Sequence, residues 1–400
     1  MKVLHHTVRF LPASQTFVRD LINALPTSEN LQQFVCCHER VSESPSDPEV
    51  TNLTNATGLK LTNRFLNGIN KVKGLAHNTN YRKATELLHR TSPDVIHCHF
   101  GTAAYFNFFI QKAAKVRIPV LVSFHGYDVF EADQLFPAYI KVLTELINDR
   151  GLCTCPSEFL KKELLKRFNI PEHRVIVIPN GFNDSLFVKQ HKKRKLTEQC
   201  NIVHVGRFIP LKGHRYLIEA LQVLAQRGFN NITLTLIGDG ETQTECKALA
   251  HRLSIEDKVI FKGLISHNEV ADELKKADIY VHPSYTLDCG KAETFGVAIL
   301  EAIATGLPVI ISNSGGMPEV LTVPNEKYAK VVDQQSATAL AVAIEAFIAE
   351  SNNFDEKEFN AFRTTVLNSC NHKTATNATL AGYKKLVNDV VKGSKGEKVI

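Results

Sequence analysis

Asn201-Ile202-Val203-His204-Val205-Gly206-Arg207-Phe208-Ile209-Pro210-Leu211-Lys212-Gly213-His214 is the stretch that decides the fold class. A β-branched apolar run stops at a glycine, the chain crosses a short loop carrying two cations, and the amphipathic segment Arg215–Gln226 follows at helical spacing. The same succession of apolar run, polar turn and amphipathic segment recurs along nearly the whole chain, which is the signature of parallel strands covered by helices on both faces. Upstream, strands are expected near Lys2–His5, Gln33–Cys37, Val95–Phe100, Val120–Phe124, Cys153–Pro156 and Val175–Pro179. From this stretch onward they are expected near Asn201–Val205, Thr233–Ile237, Val259–Lys262, Ile279–His282, Val309–Ile311 and Ala329–Val332. Helix patterns Thr102–Val116, Glu158–Phe168, Thr242–Leu253 and Val297–Ala304 fall between them. The expected architecture is α/β, with two doubly wound domains of similar size. The break falls at 183–198, where Lys189-Gln190-His191-Lys192-Lys193-Arg194-Lys195 is a basic run with no apolar period. The last two helical segments, Ser336–Glu350 and Lys373–Val391, lead into no further strand and are expected to pack back over the domain junction.

At 400 residues, 44% hydrophobic and 22% charged, the chain is neither disordered nor fibrous and is long enough for two cores without disulfide or metal staples. Its nine cysteines are an odd, scattered set, most of them inside apolar runs such as Val95-Ile96-His97-Cys98. That pattern points to reduced thiols in a cytoplasmic protein, and Cys153-x-Cys155 has no second pair with which to bind a metal. No signal peptide opens the sequence and no apolar stretch approaches the roughly 18 residues of a spanning helix, so neither export nor a membrane span is expected. The net charge of +6 is uneven: residues 1–195 hold 26 Lys/Arg against 17 Asp/Glu, and the rest hold 21 against 24. The two halves are expected to face different partners. The basic run lacks interleaved aromatics, so nucleic acid is not expected among them.

In open parallel sheets the ligand lies at the carboxyl ends of the strands. Gly206-Arg207 at a strand end and Lys212-Gly213 at a helix start set two cations around a loop mouth suited to a diphosphate, although each alone also reads as a surface charge. Ile237-Gly238-Asp239-Gly240 is a tight turn after the next strand. In Ala292-Glu293-Thr294-Phe295-Gly296-Val297-Ala298-Ile299-Leu300-Glu301, the amides of Phe295, Gly296 and Val297 are free donors of a helix start, which favours an anion. The competing reading makes Glu293 a carboxylate favoured by the helix dipole and Glu301 a solvent-facing helix residue.

Taken in order and spacing, these motifs with Phe261-Lys262-Gly263 and Gly315-Gly316-Met317-Pro318-Glu319 resemble the second half of a family 4 retaining glycosyltransferase. Upstream, Asp94-Val95-Ile96-His97-Cys98-His99, Phe124-His125-Gly126-Tyr127-Asp128, Pro156-Ser157-Glu158 and Ile178-Pro179-Asn180-Gly181 resemble its first half, so the likeness runs from about residue 1 to about residue 385. The resemblance implies the GT-B fold: two Rossmann-like domains facing a central cleft. It places an acceptor-binding domain at 1–182, a linker at 183–198, a sugar-nucleotide-binding domain at 199–372 and a helix crossing the junction, with a tail, at 373–400. It also implies a hexosyltransferase that keeps the anomeric configuration and needs neither metal nor cofactor. By the same resemblance Arg207 and Lys212 contact the donor diphosphate, Glu301 the ribose, and Glu293 with Thr294, Phe295, Gly296 and Val297 the donor sugar. Gly238, Leu264 and Ile265 belong to the donor side, the last two near the nucleobase, and His125 reaches the sugar from the other domain. The implied catalytic set is His125, Arg207, Lys212 and Glu293.

Where many members carry a Gly-Gly loop after the first strand, this chain has Phe10-Leu11-Pro12-Ala13-Ser14-Gln15-Thr16-Phe17-Val18, which resembles exopolysaccharide transferases of the colanic-acid type. Ser14, Gln15 and Thr16, with His125, Tyr127 and Asp128, then fall on the acceptor side, although Ser14 also reads as a helix cap. His125 ends a strand before Gly126, where it reads from the residues alone as a core or turn histidine and from the resemblance as a cleft residue. His97 and His99 share one strand face with no third metal ligand in sight.

Residues 64–90 carry Arg64, Lys71, Lys73, Arg82, Lys83 and Arg90 against Glu86, interleaved with Phe65, Leu66, Ile69, Val72 and Leu75. This stripe reads either as a peripheral contact with anionic lipid on the inner face of the membrane or as a helix packed on its own domain. The expected partners are a sugar-nucleotide donor, UDP before GDP, and a saccharide or lipid-linked acceptor of surface polysaccharide synthesis. A sugar-nucleotide epimerase of the same architecture and a non-catalytic sugar-nucleotide-binding protein stay open as alternatives.

Overall fold

The computed structural model describes residues 1–10, 16–26, 30–41, 49–54, 79–182, 186–187, 196–323 and 325–396. They form two units, one of residues 1–181 with 372–400 and one of residues 182–371.

The first unit is built on seven parallel strands: β1 (Lys2–Phe10), β2 (Gln32–Arg40), β3 (Val50–Asn52), β4 (Val95–His99), β5 (Val120–Ser123), β6 (Gly151–Cys155) and β7 (Val175–Val177). Their order is β3-β2-β1-β4-β5-β6-β7, so the direction of winding reverses between β1 and β4. Every residue of β4 and β6 is buried, as strands covered on both faces require. Helices Gly101–Ala114 and Tyr139–Arg150 pack against this sheet and each other, bringing Phe106, Ile110, Leu143 and Ile147 into the main core. The long helix His372–Gly396 lies along β4, β5 and β6 and adds Tyr383 and Leu386 to a second cluster with Val3, Val95 and Leu121.

The second unit holds six parallel strands: β8 (Cys200–Val205), β9 (Ile232–Ile237), β10 (Val259–Gly263), β11 (Ile279–His282), β12 (Val309–Ser312) and β13 (Ala329–Val332). Their order is β10-β9-β8-β11-β12-β13, reversing between β8 and β11. Local signals set its helices. Ser266 and Glu269 form a reciprocal capping box before His267–Lys276, and Ser336 accepts the Ala339 amide at 3.1 Å to start Ala337–Glu350.

Three features depart from the sequence reading. Strands β1 and β2 run on to Phe10 and Arg40, because Thr7, Arg9, Glu39 and Arg40 keep the parallel register although they are not apolar. The short strand β3 has no apolar run to announce it. The segment expected at Ser336–Glu350 does not serve a junction: Leu340, Ile344, Phe347 and Ile348 are buried in the core of the second unit, against helix His214–Gln226 and strands β12 and β13. Within 183–198, the described Phe187 is fully buried in the second unit beside Phe182, while 183–185 and the basic run 188–195 lie outside the described residues.

Candidate functional site

The reversal between β8 and β11 opens a crevice at their carboxyl ends, and the loop after each strand enters it. The loop after β8 is held by main-chain packing that admits no side chain. The Gly206 amide donates to the Ile237 carbonyl at 2.9 Å, and a Cβ on Gly238 (φ +134°) would lie 2.1 Å from the Gly206 oxygen. Gly213 (φ +67°) sits as close to the Pro283 carbonyl, in the loop after β11. The turn Pro210–Lys212 ends between these contacts, and Lys212 forms a short ion pair with Glu293.

Glu293 is clamped from behind. The Gly316 amide donates to its carbonyl at 2.8 Å, and a Cβ on Gly315 (φ +58°) would stand 2.1 Å from that same oxygen. The Gly315-Gly316 pair of the sequence motif therefore fixes the main chain that carries the Glu293 carboxylate. The side chains of Lys212 and Glu293 are 14% and 17% exposed, and His282 Nε2 lies 3.7 Å from the carboxylate. Burial would raise the Glu293 pKa, but the Lys212 charge and His282 outweigh it and hold the carboxyl well below its usual range. Downstream, Gly296 (φ +95°) opens helix Val297–Thr305 with no side-chain cap. The Ile299 amide turns back to the Gly296 carbonyl at 3.0 Å, so at most three of the four main-chain donors of this helix start are left for a ligand or solvent.

Glu301, one turn into that helix, is not the solvent-facing residue of the alternative reading; it is 8% exposed and bound to His267 Nε2 at 3.0 Å. Neither His267 nor His282 is found by motif, although His282 closes an expected strand, where site residues belong. Arg207 is exposed at the loop mouth. Leu264, 76% exposed beside half-buried Ile265, offers an apolar face after β10. Lys212, Glu293, Thr294, Phe295, Gly296, Val297 and Glu301 are thus carried by the loops and helix starts of one crevice, with Phe295 buried beneath it.

In the first unit the loop after β5 carries His125, whose ring is flanked by Phe17 and Phe100, with centroids 4.6 Å from each. Burial lowers its pKa to about 3, so the ring is neutral. It lines a cavity of about 40 Å³ with His99, Ser123 and Thr154. Asp128 is fully buried, and its carboxylate accepts the amides of Gly101 (2.9 Å), His125 (3.1 Å) and Gly126 (2.9 Å). These bonds hold the loop that carries His125, and burial raises the Asp128 pKa to about 6 despite them. Tyr127 is half-buried, its hydroxyl 3.1 Å from Thr102 Oγ1. Thr16 begins helix Thr16–Ala24, while Ser14 and Gln15 lie outside the described residues. Of the stripe at 64–90, residues 64–78 also lie outside them. Helix Tyr81–Thr91 turns Ala84, Leu87 and Leu88 into the core.

A group suited to a cation stands on β1 and β4: His5, His97 and His99 are buried, with donor nitrogens within 4.8 Å of one another. The third member was out of sight in the sequence because the register, not the local pattern, brings His5 opposite His97. These rings already have protein partners. His5 Nδ1 is 3.1 Å from His99 Nε2 and His5 Nε2 is 3.1 Å from Gln33, while His97 meets Tyr383 and Ser123 hydroxyls at 2.7 Å each. A cation would have to displace those bonds, and the network reads as structural.

Two family models match the chain. "Glycosyltransferase Family 4" matches residues 14–186 and "Glycosyl transferases group 1" residues 187–361. An uncharacterized glycosyltransferase of Methanocaldococcus jannaschii is 31% identical, over 57% of this chain and 60% of its own length. A GDP-mannose-dependent phosphatidylinositol monomannoside mannosyltransferase of Mycobacterium tuberculosis is 29% identical, over 61% and 64%. A putative colanic acid biosynthesis glycosyltransferase of Escherichia coli is 28% identical, over 64% and 61%. This chain therefore spans less than two thirds of the length of each of these relatives. Among solved structures, an Anabaena protein in complex with UDP aligns with a TM-score of 0.73 at 18% identity, covering 96% of this chain and 100% of that one. A Rickettsia africae glycosyltransferase aligns with a TM-score of 0.73 at 19%, covering 96% and 98%. At these identities the likeness establishes the GT-B fold, two Rossmann-like units.

Proposed function

Because the chain belongs to the family 4, group 1 glycosyltransferases, we propose that it is a retaining hexosyltransferase using a nucleoside-diphosphate sugar and a saccharide or lipid-linked acceptor of surface polysaccharide synthesis. The observation that carries this reading is the Lys212–Glu293 pair, fixed by glycine packing at the switch point beside the uncapped start of helix Val297–Thr305. Breaking a sugar–phosphate bond leaves a diphosphate whose charge grows in the transition state. Arg207, Lys212 and the helix amides stabilise that charge without reorganising, the role a divalent metal has elsewhere. No metal is therefore assigned to the reaction. Glu293, engaged with Lys212, orients the sugar rather than attacking it. The acceptor oxygen bonds to the anomeric carbon on the face from which the diphosphate departs, and the departing phosphate oxygen takes the acceptor proton.

Glu301 is assigned to the ribose, Leu264 and Ile265 to the base, and His125 with residues 14–16 to the acceptor side. UDP is the first donor base; GDP-mannose is its main rival, since the mycobacterial relative is named as dependent on it. No helix among the described residues is long and apolar enough to cross a membrane. The assigned place is the cytoplasmic side, with 64–90 contacting anionic lipid, which salt should weaken in vesicle binding.

The test is product analysis of the purified full chain with UDP- and GDP-hexoses in EDTA. Nucleoside diphosphate together with a glycoside or free sugar of retained configuration supports the proposal. An altered sugar nucleotide would make the protein an epimerase, and binding of a donor without turnover, in the presence of saccharide acceptors, would make it a binding protein. A glycosyl adduct trapped on a side chain would replace front-face transfer by a covalent route.

A further inference from the structure

His282 stands in the second unit with one ring nitrogen committed and the other waiting. Its ring is 1% exposed and ends β11. Nδ1 is 2.7 Å from the Tyr280 hydroxyl, and the ring packs edge-on to His204 at 5.1 Å between centroids. Burial and the neighbouring Lys212 charge lower its pKa, against the pull of Glu293, so the ring is neutral and carries one proton. The anionic Glu293 carboxylate on the Nε2 side favours the tautomer with the proton on Nε2, for which the Tyr280 hydroxyl donates to Nδ1; Nε2 has no hydrogen-bond partner and lies 3.7 Å from that carboxylate, beyond bonding range by less than 1 Å.

The ion pair beside it creates a conflict. Lys212 is at once the partner of a mostly buried carboxylate and the cation assigned to a diphosphate. A diphosphate that draws the ammonium toward itself leaves Glu293 with a weakened partner and a second anion nearby, and a buried carboxylate in that position is strongly disfavoured unless another donor replaces the lost one. Arg207 is exposed at the loop mouth, and the ion pairs of Glu293 among the described residues are with Lys212 and His282. Among the described residues the only other side chain paired with the Glu293 carboxylate is His282.

We propose that His282 is a positioning residue that takes over the Glu293 carboxylate through Nε2–H when a nucleoside diphosphate engages Lys212. This inference rests on the donor reading above and adds to it a change of partner inside the site. Because the aromatic ring is fixed by Tyr280 and His204, a small movement of the carboxylate suffices, and the acid keeps its place for the sugar while the lysine turns to the phosphates.

The test is calorimetric titration of the full chain with UDP, GDP and their parent nucleosides. His282→Leu, made also in a Tyr280→Phe background so that no hydroxyl is orphaned, should weaken diphosphate binding about tenfold at an unchanged stoichiometry of one. His282→Gln, whose amide can reach the same carboxylate, should recover affinity to within about threefold. In a Glu293→Gln background the His282→Leu effect should vanish, and nucleoside binding should not respond to His282 at all. Reduced stoichiometry with unchanged affinity would mark a merely structural histidine and overturn the proposal, as would equal diphosphate affinity in wild type and His282→Leu. If wild type binds neither UDP nor GDP, the donor reading itself falls, and this inference with it.

Discussion

At the switch point of the first sheet, β1 and β4 bring His5, His97 and His99 together; at that of the second, β8 and β11 bring His204 and His282 together. In the first unit both nitrogens of His5 and of His97 have partners, and the helix His372–Gly396 seals the group with the Tyr383 hydroxyl. In the second, Nε2 of His204 and of His282 have none, and a lysine, two carboxylates and an uncapped helix start stand beside them. The His5–His97–His99 group is thus closed on itself, although the neighbouring His6 on β1 has only its Nε2 bonded, to His38, while the His204–His282 group is left incomplete. Buried polar groups demand partners, so an incomplete set marks where a ligand completes it.

The largest expected effect would break this contrast if it failed. Lys212→Ala should lower donor turnover by about 10²–10³-fold, since the lysine acts on developing charge, with circular dichroism near wild type and a melting midpoint lowered by the loss of the partner of Glu293. Full activity would remove the diphosphate assignment.

Acid should act chiefly on the first unit. Burial lowers His5 and His38 to about 4 and His125 to about 3, from 6.5 in the unfolded chain, and His6, His97 and His99 also lie well below that value. The folded form therefore binds fewer protons than the unfolded one below pH 6.5. Stability is fully present above that pH and is lost as pH falls toward the folded values, by roughly 1.4 kcal/mol per pH unit for each such histidine. The second unit buries His204, His214 and His282 in the same sense, and the low pKa of Glu293 withdraws its contribution only in stronger acid. Hydrogen exchange between pH 7.5 and 5 should show β1 and β4 losing protection before β8 and β11.

Glu301→Gln sharpens the contrast on the other side. It should raise the donor KM about tenfold with little change in the melting midpoint, as expected of a carboxylate kept for a ribose. Tyr383→Phe should do the reverse: it removes one buried bond to His97, costing about 1 kcal/mol or a few degrees of melting temperature, with donor KM unchanged.

The same contrast separates what local sequence encodes from what the fold alone brings together. Strand Ile279–His282 lies at its expected bounds, because a continuous apolar run between polar turns announces a strand buried on both faces, and the edge strand Ala329–Val332 does so although Lys330 interrupts the run and Val331 is exposed. Lys212, Glu293 and the Gly315-Gly316 pair are legible as motifs since each follows an expected strand, and the backbone at Gly315 admits no side chain. The partners were not. His267 on Glu301, His5 on His99 and Tyr383 on His97 are joined by register and helix packing across long stretches of chain, and no local pattern encodes them. Asp128 reads by resemblance as an acceptor-side residue, and its bonds to the amides of Gly101, His125 and Gly126 are visible only in the fold.

The central claim, that the incomplete polar interior of the second unit holds the nucleoside diphosphate, is tested most directly by hydrogen exchange of the full chain with and without saturating UDP or GDP. The account predicts the largest gain in protection at residues 206–213 and 293–301, with β1 and β4 unchanged. Protection gained first around His5, His97 and His99, with none at the Lys212 loop, would contradict it.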